Sequence, residues 1–99
     1  MNIKPIRLDV ECCFAPVTFD SLLLSYYGVE IGNTLYLTDR DNRNYYIVST
    51  NDLFHYDPTD DLHSMTIRTK LIPTTIDDAN ILHAIANAYA EMSVKYPCR

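Results

Sequence analysis

Glycine is almost missing from this chain: Gly28 and Gly32 are the only two in 99 residues. Loops that cradle phosphates need several glycines, so that backbone amides can approach the ligand closely, and that class of site is excluded. Basic residues are also scarce, with 8 Lys+Arg against 13 Asp+Glu and a net charge of −5. Such a field repels nucleic acid and favours basic partners. No stretch approaches the roughly 18 consecutive apolar residues of a membrane span. The opening Met1-Asn2-Ile3-Lys4-Pro5 lacks the apolar run of a signal peptide, so a cytoplasmic protein is expected. Of the three cysteines, Cys12 and Cys13 are adjacent, which strains a mutual disulfide, and Cys98 stands near the end. Free thiols are the expectation, as the cytoplasm keeps them reduced.

The chain does contain strong periodicity. Ile81, Leu82, Ile85, Ala88, Tyr89 and Met92 recur at spacings of three and four, an apolar stripe along one side of a helix predicted over Thr75–Lys95. Asn80, His83, Asn87 and Glu91 fall on the opposite side. Thr75 is the expected cap, with Asp77 and Asp78 in the first turn, where the helix dipole favours carboxylates. Pro97 stops the helix. Near the start, Ile6, Leu8, Val10 and Cys12 alternate with Arg7, Asp9, Glu11 and Cys13, the period of a half-buried strand.

Between these ends, Thr18 to Tyr27 suits a short helix stopped by Gly28, although Leu22-Leu23-Leu24 with Tyr26-Tyr27 also suits a buried strand. Val29 to Thr38 reads as a strand broken or bulged at Gly32-Asn33. The polar run Asp39 to Asn44 turns it into a second strand, Tyr45 to Thr50. Met65 to Leu71 alternates as a last strand. The expected fold is therefore α+β, a single domain over residues 1–99 in the order β-α-β-β-β-α. An antiparallel sheet of about four strands carries the C-terminal helix on one face. The order after Pro16 resembles that of double-stranded RNA-binding domains. The resemblance implies basic residues at the start of the second helix, holding phosphates across the groove. This sequence has Thr74-Thr75-Ile76-Asp77-Asp78 there, and the inverted charge argues against RNA binding.

Motifs that carry chemistry are few. His55, Asp57, Asp61 and His63 put four potential metal ligands close together, but not at the spacing of a known site, and solvated loop residues are the simpler reading. Asp39 to Asn44 starts like a calcium loop. It then has Arg43 at the fifth position, Asn44 where the sharp turn wants Gly, and Thr50 where a bidentate Glu is required. A hairpin turn fits better. Cys12, in phase with Ile6 and Leu8, reads as a small core residue rather than a nucleophile. No cofactor or metal is expected. The eight tyrosines divide between packing and contact, and about half are expected to be mostly core.

Placement of charge is the most informative functional signal. No Lys or Arg lies between Arg43 and Arg68, where Asp52, Asp57, Asp60 and Asp61 stand, nor from Leu71 to Val94, which holds Asp77, Asp78 and Glu91. The expectation is a small non-enzymatic binding protein that docks on a basic, nucleic-acid-binding surface of a partner protein and blocks it. Asp52, Asp57, Asp60 and Asp61 would stand in for phosphates, with Phe54 and Tyr56 as anchors. In size, acidity and lack of motifs the chain is similar to phage-encoded inhibitors of bacterial defence, anti-CRISPR proteins among them. The alternative is a structural or accessory subunit that self-associates. A third reading is a metal-dependent enzyme using the His55–His63 loop.

Overall fold

A computed structural model describes residues 3–12, 23–52, 62–67 and 71–96, and only the backbone of 10–12, 23–24, 52 and 62–67. Five strands form one sheet: β1 (Ile3–Cys12), β2 (Leu23–Ile31), β3 (Thr34–Asp39), β4 (Tyr45–Ser49) and β5 (Leu62–Ile67). Their order across the sheet is β4-β3-β2-β1-β5. The first four pair antiparallel with one another, and α1 (Ala79–Lys95) packs on one face, mainly over β2. The α+β class, the antiparallel sheet and the C-terminal helix all agree with the pattern of the sequence.

Three elements differ from expectation. The stretch assigned to a short helix, Thr18 to Tyr27, enters β2 at Leu23, and the remainder, 18–22, lies outside the described residues. Tyr26, Tyr27 and Val29 are all buried, because β2 is central and covered on both faces. Such a strand shows no alternation, so its sequence looks like a buried helix turn. From Leu23 on, the structure has a strand where the RNA-binding order has its first helix.

The break expected at Gly32-Asn33 is present, as a hairpin turn and not a bulge: Ile31 pairs with Thr34, and Gly32 has a φ of 63°, the value a tight two-residue hairpin asks of its first central residue. The last strand starts earlier than Met65 and leaves the meander altogether. It lies parallel to β1 at the far edge, with Leu62 opposite Arg7 and Ile67 opposite Cys12. Leu71 falls beyond it. Parallel neighbours require a long connection, and no local pattern reports one.

The helix begins later than predicted. Thr74 donates its N–H to the Tyr45 carbonyl at 2.8 Å, an isolated antiparallel bridge that holds this segment extended. Asp78 takes over as cap, its carboxylate accepting from the amides of Asn80 at 2.9 Å and Ile81 at 3.4 Å. The faces are as expected: Ile85, Ala88 and Met92 are buried, Ile81, Leu82 and Tyr89 half-buried, and Asn80, His83, Asn87 and Glu91 exposed.

Both faces of the sheet are buried. Under α1, Val29 packs with Ile76, Ile85 and Ala88, flanked by Ile31, Tyr36 and Tyr45. The opposite face carries Ile6, Leu8, Tyr26, Leu35, Leu37, Tyr46 and Val48, with Leu71 packed against them. The helix thus lies on the side of β1 that bears Arg7 and Asp9, away from Ile6 and Leu8.

Candidate functional site

The polar residues that the fold gathers most closely sit where α1 ends against β1 and β2. Arg7 and Asp9 alternate with buried Ile6 and Leu8, so they share the helix-facing side, and the β1–β2 register sets Arg7 beside Tyr27 and Asp9 beside Ser25. Arg7 Nε donates to Asp9 Oδ1 at 2.9 Å, with both side chains close to 14% exposed (14% and 13%). Its Nη2 donates to Ser25 Oγ at 3.3 Å, and the Ser25 hydroxyl donates to Asp9 Oδ1 at 2.7 Å. Arg7 Nη1 and the Tyr27 hydroxyl, the latter at 2.8 Å, both donate to the Tyr96 carbonyl.

This arrangement has a structural logic. The carbonyls at the end of a helix lack intrahelical partners, and a cation there meets the negative end of the dipole. The Tyr27 ring lies under the guanidinium, 5.7 Å from centroid to Cζ, and meets Tyr89 edge-on at 5.4 Å. The Tyr89 hydroxyl in turn donates to the Arg40 carbonyl at 2.6 Å, tying the helix to the β3–β4 turn. Every guanidinium nitrogen of Arg7 donates to a protein group. The cluster fastens the helix and holds no group poised for chemistry. Sequence reading missed it because strict alternation made Arg7 and Asp9 look solvated; the β1–β2 register was the missing signal.

The β3–β4 turn is also closed on itself. Asp39 accepts from the Arg43 amide at 2.8 Å and from Asn44 Nδ2 at 3.1 Å, and Asn42 takes a positive φ of 56°. Its oxygens satisfy the turn, in keeping with a hairpin. On the other face of the sheet, burial and then the nearby Asp39 carboxylate raise the Tyr46 pKa above its ordinary value.

Of the residues proposed to meet a partner, Asp52 ends a short 3₁₀ turn, Thr50–Asp52, directly after β4. Phe54, Tyr56, Asp57, Asp60 and Asp61 lie outside the described residues, as does His55. His63 falls in β5 opposite Leu8. Among the described residues no group of three or more His, Cys, Asp or Glu is placed to hold a metal ion. No helix among them is long and apolar enough to cross a membrane.

The second acid-bearing stretch is well placed in the fold. Asp77, Asp78 and Glu91 are all exposed, on the lead-in to α1 and on its outer face. Of the tyrosines among the described residues, Tyr26, Tyr27 and Tyr46 are buried, while Tyr36, Tyr45, Tyr89 and Tyr96 are half-buried. Compared with protein-family models, curated proteins and solved structures, the chain matches none.

Proposed function

We propose that this chain is a small non-enzymatic binding protein that docks through acidic surface on a basic, nucleic-acid-binding surface of a partner protein and blocks it. In type it would belong with phage-encoded anti-defence inhibitors acting in the cytoplasm. One observation carries the reading: carboxylates occupy two long stretches that hold no Lys or Arg, and those of the second stretch, Asp77, Asp78 and Glu91, stand exposed on the folded surface. Exposed carboxylates on a stretch without Lys or Arg impose a one-signed local field that steers a basic partner and rejects nucleic acid. In the first stretch, Asp52, Asp57, Asp60 and Asp61 supply the phosphate-like charges, and Phe54 and Tyr56 the apolar anchors.

The test is charge reversal with stability as the control. Affinity capture from a bacterial lysate at low and high salt identifies a partner released by salt. Asp57→Lys/Asp60→Lys/Asp61→Lys should then abolish its binding while the melting temperature stays within the small range typical of surface changes. His55→Ala/His63→Ala should bind normally. A triple-Lys variant that still captures the partner would end this reading, and loss of function in the histidine variant with stoichiometric metal would replace it with the enzyme reading.

A further inference from the structure

While Ile85, Ala88 and Met92 of α1 are buried against the sheet, the helix's outer face is open along its length: His83, Ala86, Asn87, Ala90, Glu91 and Val94 are exposed, Val94 by 82%. The charges of this face are ordered about its middle. His83 stands four residues before Asn87, and Glu91 stands four residues after it. The helix starts on Asp77 and the cap Asp78, and its last turn carries Lys95, whose Nζ lies 5.3 Å from the centroid of the Tyr96 ring.

Such an order is complementary to its own reverse. We propose that this face of α1 pairs with the same face of a second copy of the chain, antiparallel and about a two-fold axis at Asn87. In that register Glu91 falls opposite His83 of the copy, whose imidazole has an N–H to donate. Lys95 falls beside the copy's helix start, with its Asp77 and Asp78, and symmetry supplies each contact twice. Asn87 meets its own counterpart, and a side-chain amide offers both the donor and the acceptor that this requires. Antiparallel helices also set the positive end of each dipole against the negative end of the other. A parallel pair would instead set Glu91 on Glu91, Lys95 on Lys95 and like dipole ends together. Ala86 and Ala90 place no bulk between the two helices, and Val94 gives apolar area at each end. One helix face buries less than a standard interface, so the dimer is a weak one. The inference goes beyond the docking function and does not rest on it.

The residue on the axis gives the test, because it faces only itself. Sedimentation equilibrium of the full chain should show a monomer–dimer equilibrium, half-formed at about 100 µM. Asn87→Asp sets carboxylate against carboxylate and Asn87→Lys sets ammonium against ammonium, so each alone should weaken the dimer about tenfold or more. An equal mixture of the two variants should associate again, since unlike charges then meet on the axis. Contact with a partner of one charge sign would favour one of these changes and oppose the other. Asn87→Asp also adds an acid to the surface, so docking on a basic partner should survive where the dimer is lost, and the two readings fail separately. In the unaltered chain, amide NMR shifts should move on dilution chiefly from His83 to Glu91, a readout that needs no variant. A monomer up to about millimolar concentration, a dimer indifferent to both changes at Asn87, a mixture that stays monomeric, or dilution shifts lying elsewhere would each overturn the inference.

Discussion

Beneath α1 the sheet changes character along the helix, from Val29 among Ile76, Ile85 and Ala88 to Arg7, Asp9 and Ser25 at the helix's last turn. On the opposite face Ile6, Leu8, Tyr26, Leu35, Leu37, Tyr46 and Val48 form one buried apolar cluster. The apolar face gains from burial alone, which is non-directional and tolerant of small shifts. The helix face adds directional bonds that fix where the helix ends. Part of its stability rests on a network whose members cannot be removed singly without leaving a poorly solvated charge. Both faces are core, but they should fail differently.

The sharpest way to break this comparison is to place a charge in each. Ile85 is 1% exposed under the helix and Leu37 is 0% exposed on the opposite face. Ile85→Asp and Leu37→Asp should each destabilise by about 4 kcal/mol or more, because an unpaired carboxylate is left in the interior. Denaturant unfolding checks this. A mild effect at Leu37 beside a severe one at Ile85 would show that the helix face alone is core. His83→Asp, on the wet side of the helix, serves as control, with about 0.5 kcal/mol or less expected.

Next in size comes Gly28, which sits between Ile6 and Leu37 across the strands and separates no helix from a strand. A Cβ there would stand 2.0 Å from the Tyr36 carbonyl oxygen and 2.8 Å from Leu37 Cα, both backbone atoms that cannot swing aside. Gly28→Ala should cost about 3 kcal/mol through displacement of β3, as overpacking does. A neutral outcome would mean that the two faces are not locked together through the β2–β3 pairing.

The polar cluster should respond to a smaller extent and in a way the apolar face cannot. Arg7→Met removes donors to Asp9 and to the Tyr96 carbonyl, and about 1–3 kcal/mol is expected. Arg7→Met/Asp9→Leu should recover part of that loss, since a well-packed apolar pair often replaces a sequestered ion pair at no cost. Additive losses in this double-mutant cycle would show the two groups acting independently and would remove the contrast between the faces.

Much of this fold was legible in the sequence, and the gaps have identifiable causes. The helix stripe from Ile81 to Met92 and the alternation of Ile6 and Leu8 report on one covering layer each, and periodicity reads that well. β2 is covered twice, so Tyr26, Tyr27 and Val29 leave no period to read. Alternation also reports which residues share a face but not which face receives the helix, and that is why Arg7 and Asp9 looked solvated. Thr75 and Asp78 are both acceptable caps; the Thr74–Tyr45 bridge, a contact distant in sequence, decides between them. The exposure of Asp77, Asp78 and Glu91 was legible because surface charge needs no distant partner to be read, but Asp77 and Asp78 precede the first helical turn and do not occupy it as expected. Asp52 could be placed only as a position following β4.

The smallest expected effect is one of pH, and it sharpens what the apolar face is made of. Tyr46 is 9% exposed, meets Tyr26 edge-on at 5.1 Å, and lies near Asp39. Burial, and then the Asp39 carboxylate, disfavour the phenolate and raise its pKa above the ordinary value near 10. The unfolded chain therefore releases this proton at lower pH than the folded protein does. The stability tied to neutral Tyr46 is complete below about pH 10 and is lost as pH rises through the raised folded value. Tyr46→Phe removes that proton while keeping the ring and its contact with Tyr26. Its stability should fall less steeply than that of the unaltered chain as pH increases above about 10, whatever its stability at neutral pH. Asp39→Asn should give a weaker change in the same direction, because it removes the lesser of the two causes. Equal alkaline slopes for Tyr46→Phe and the unaltered chain would mean that Tyr46 ionises as freely folded as unfolded, and that this end of the apolar face is open to water.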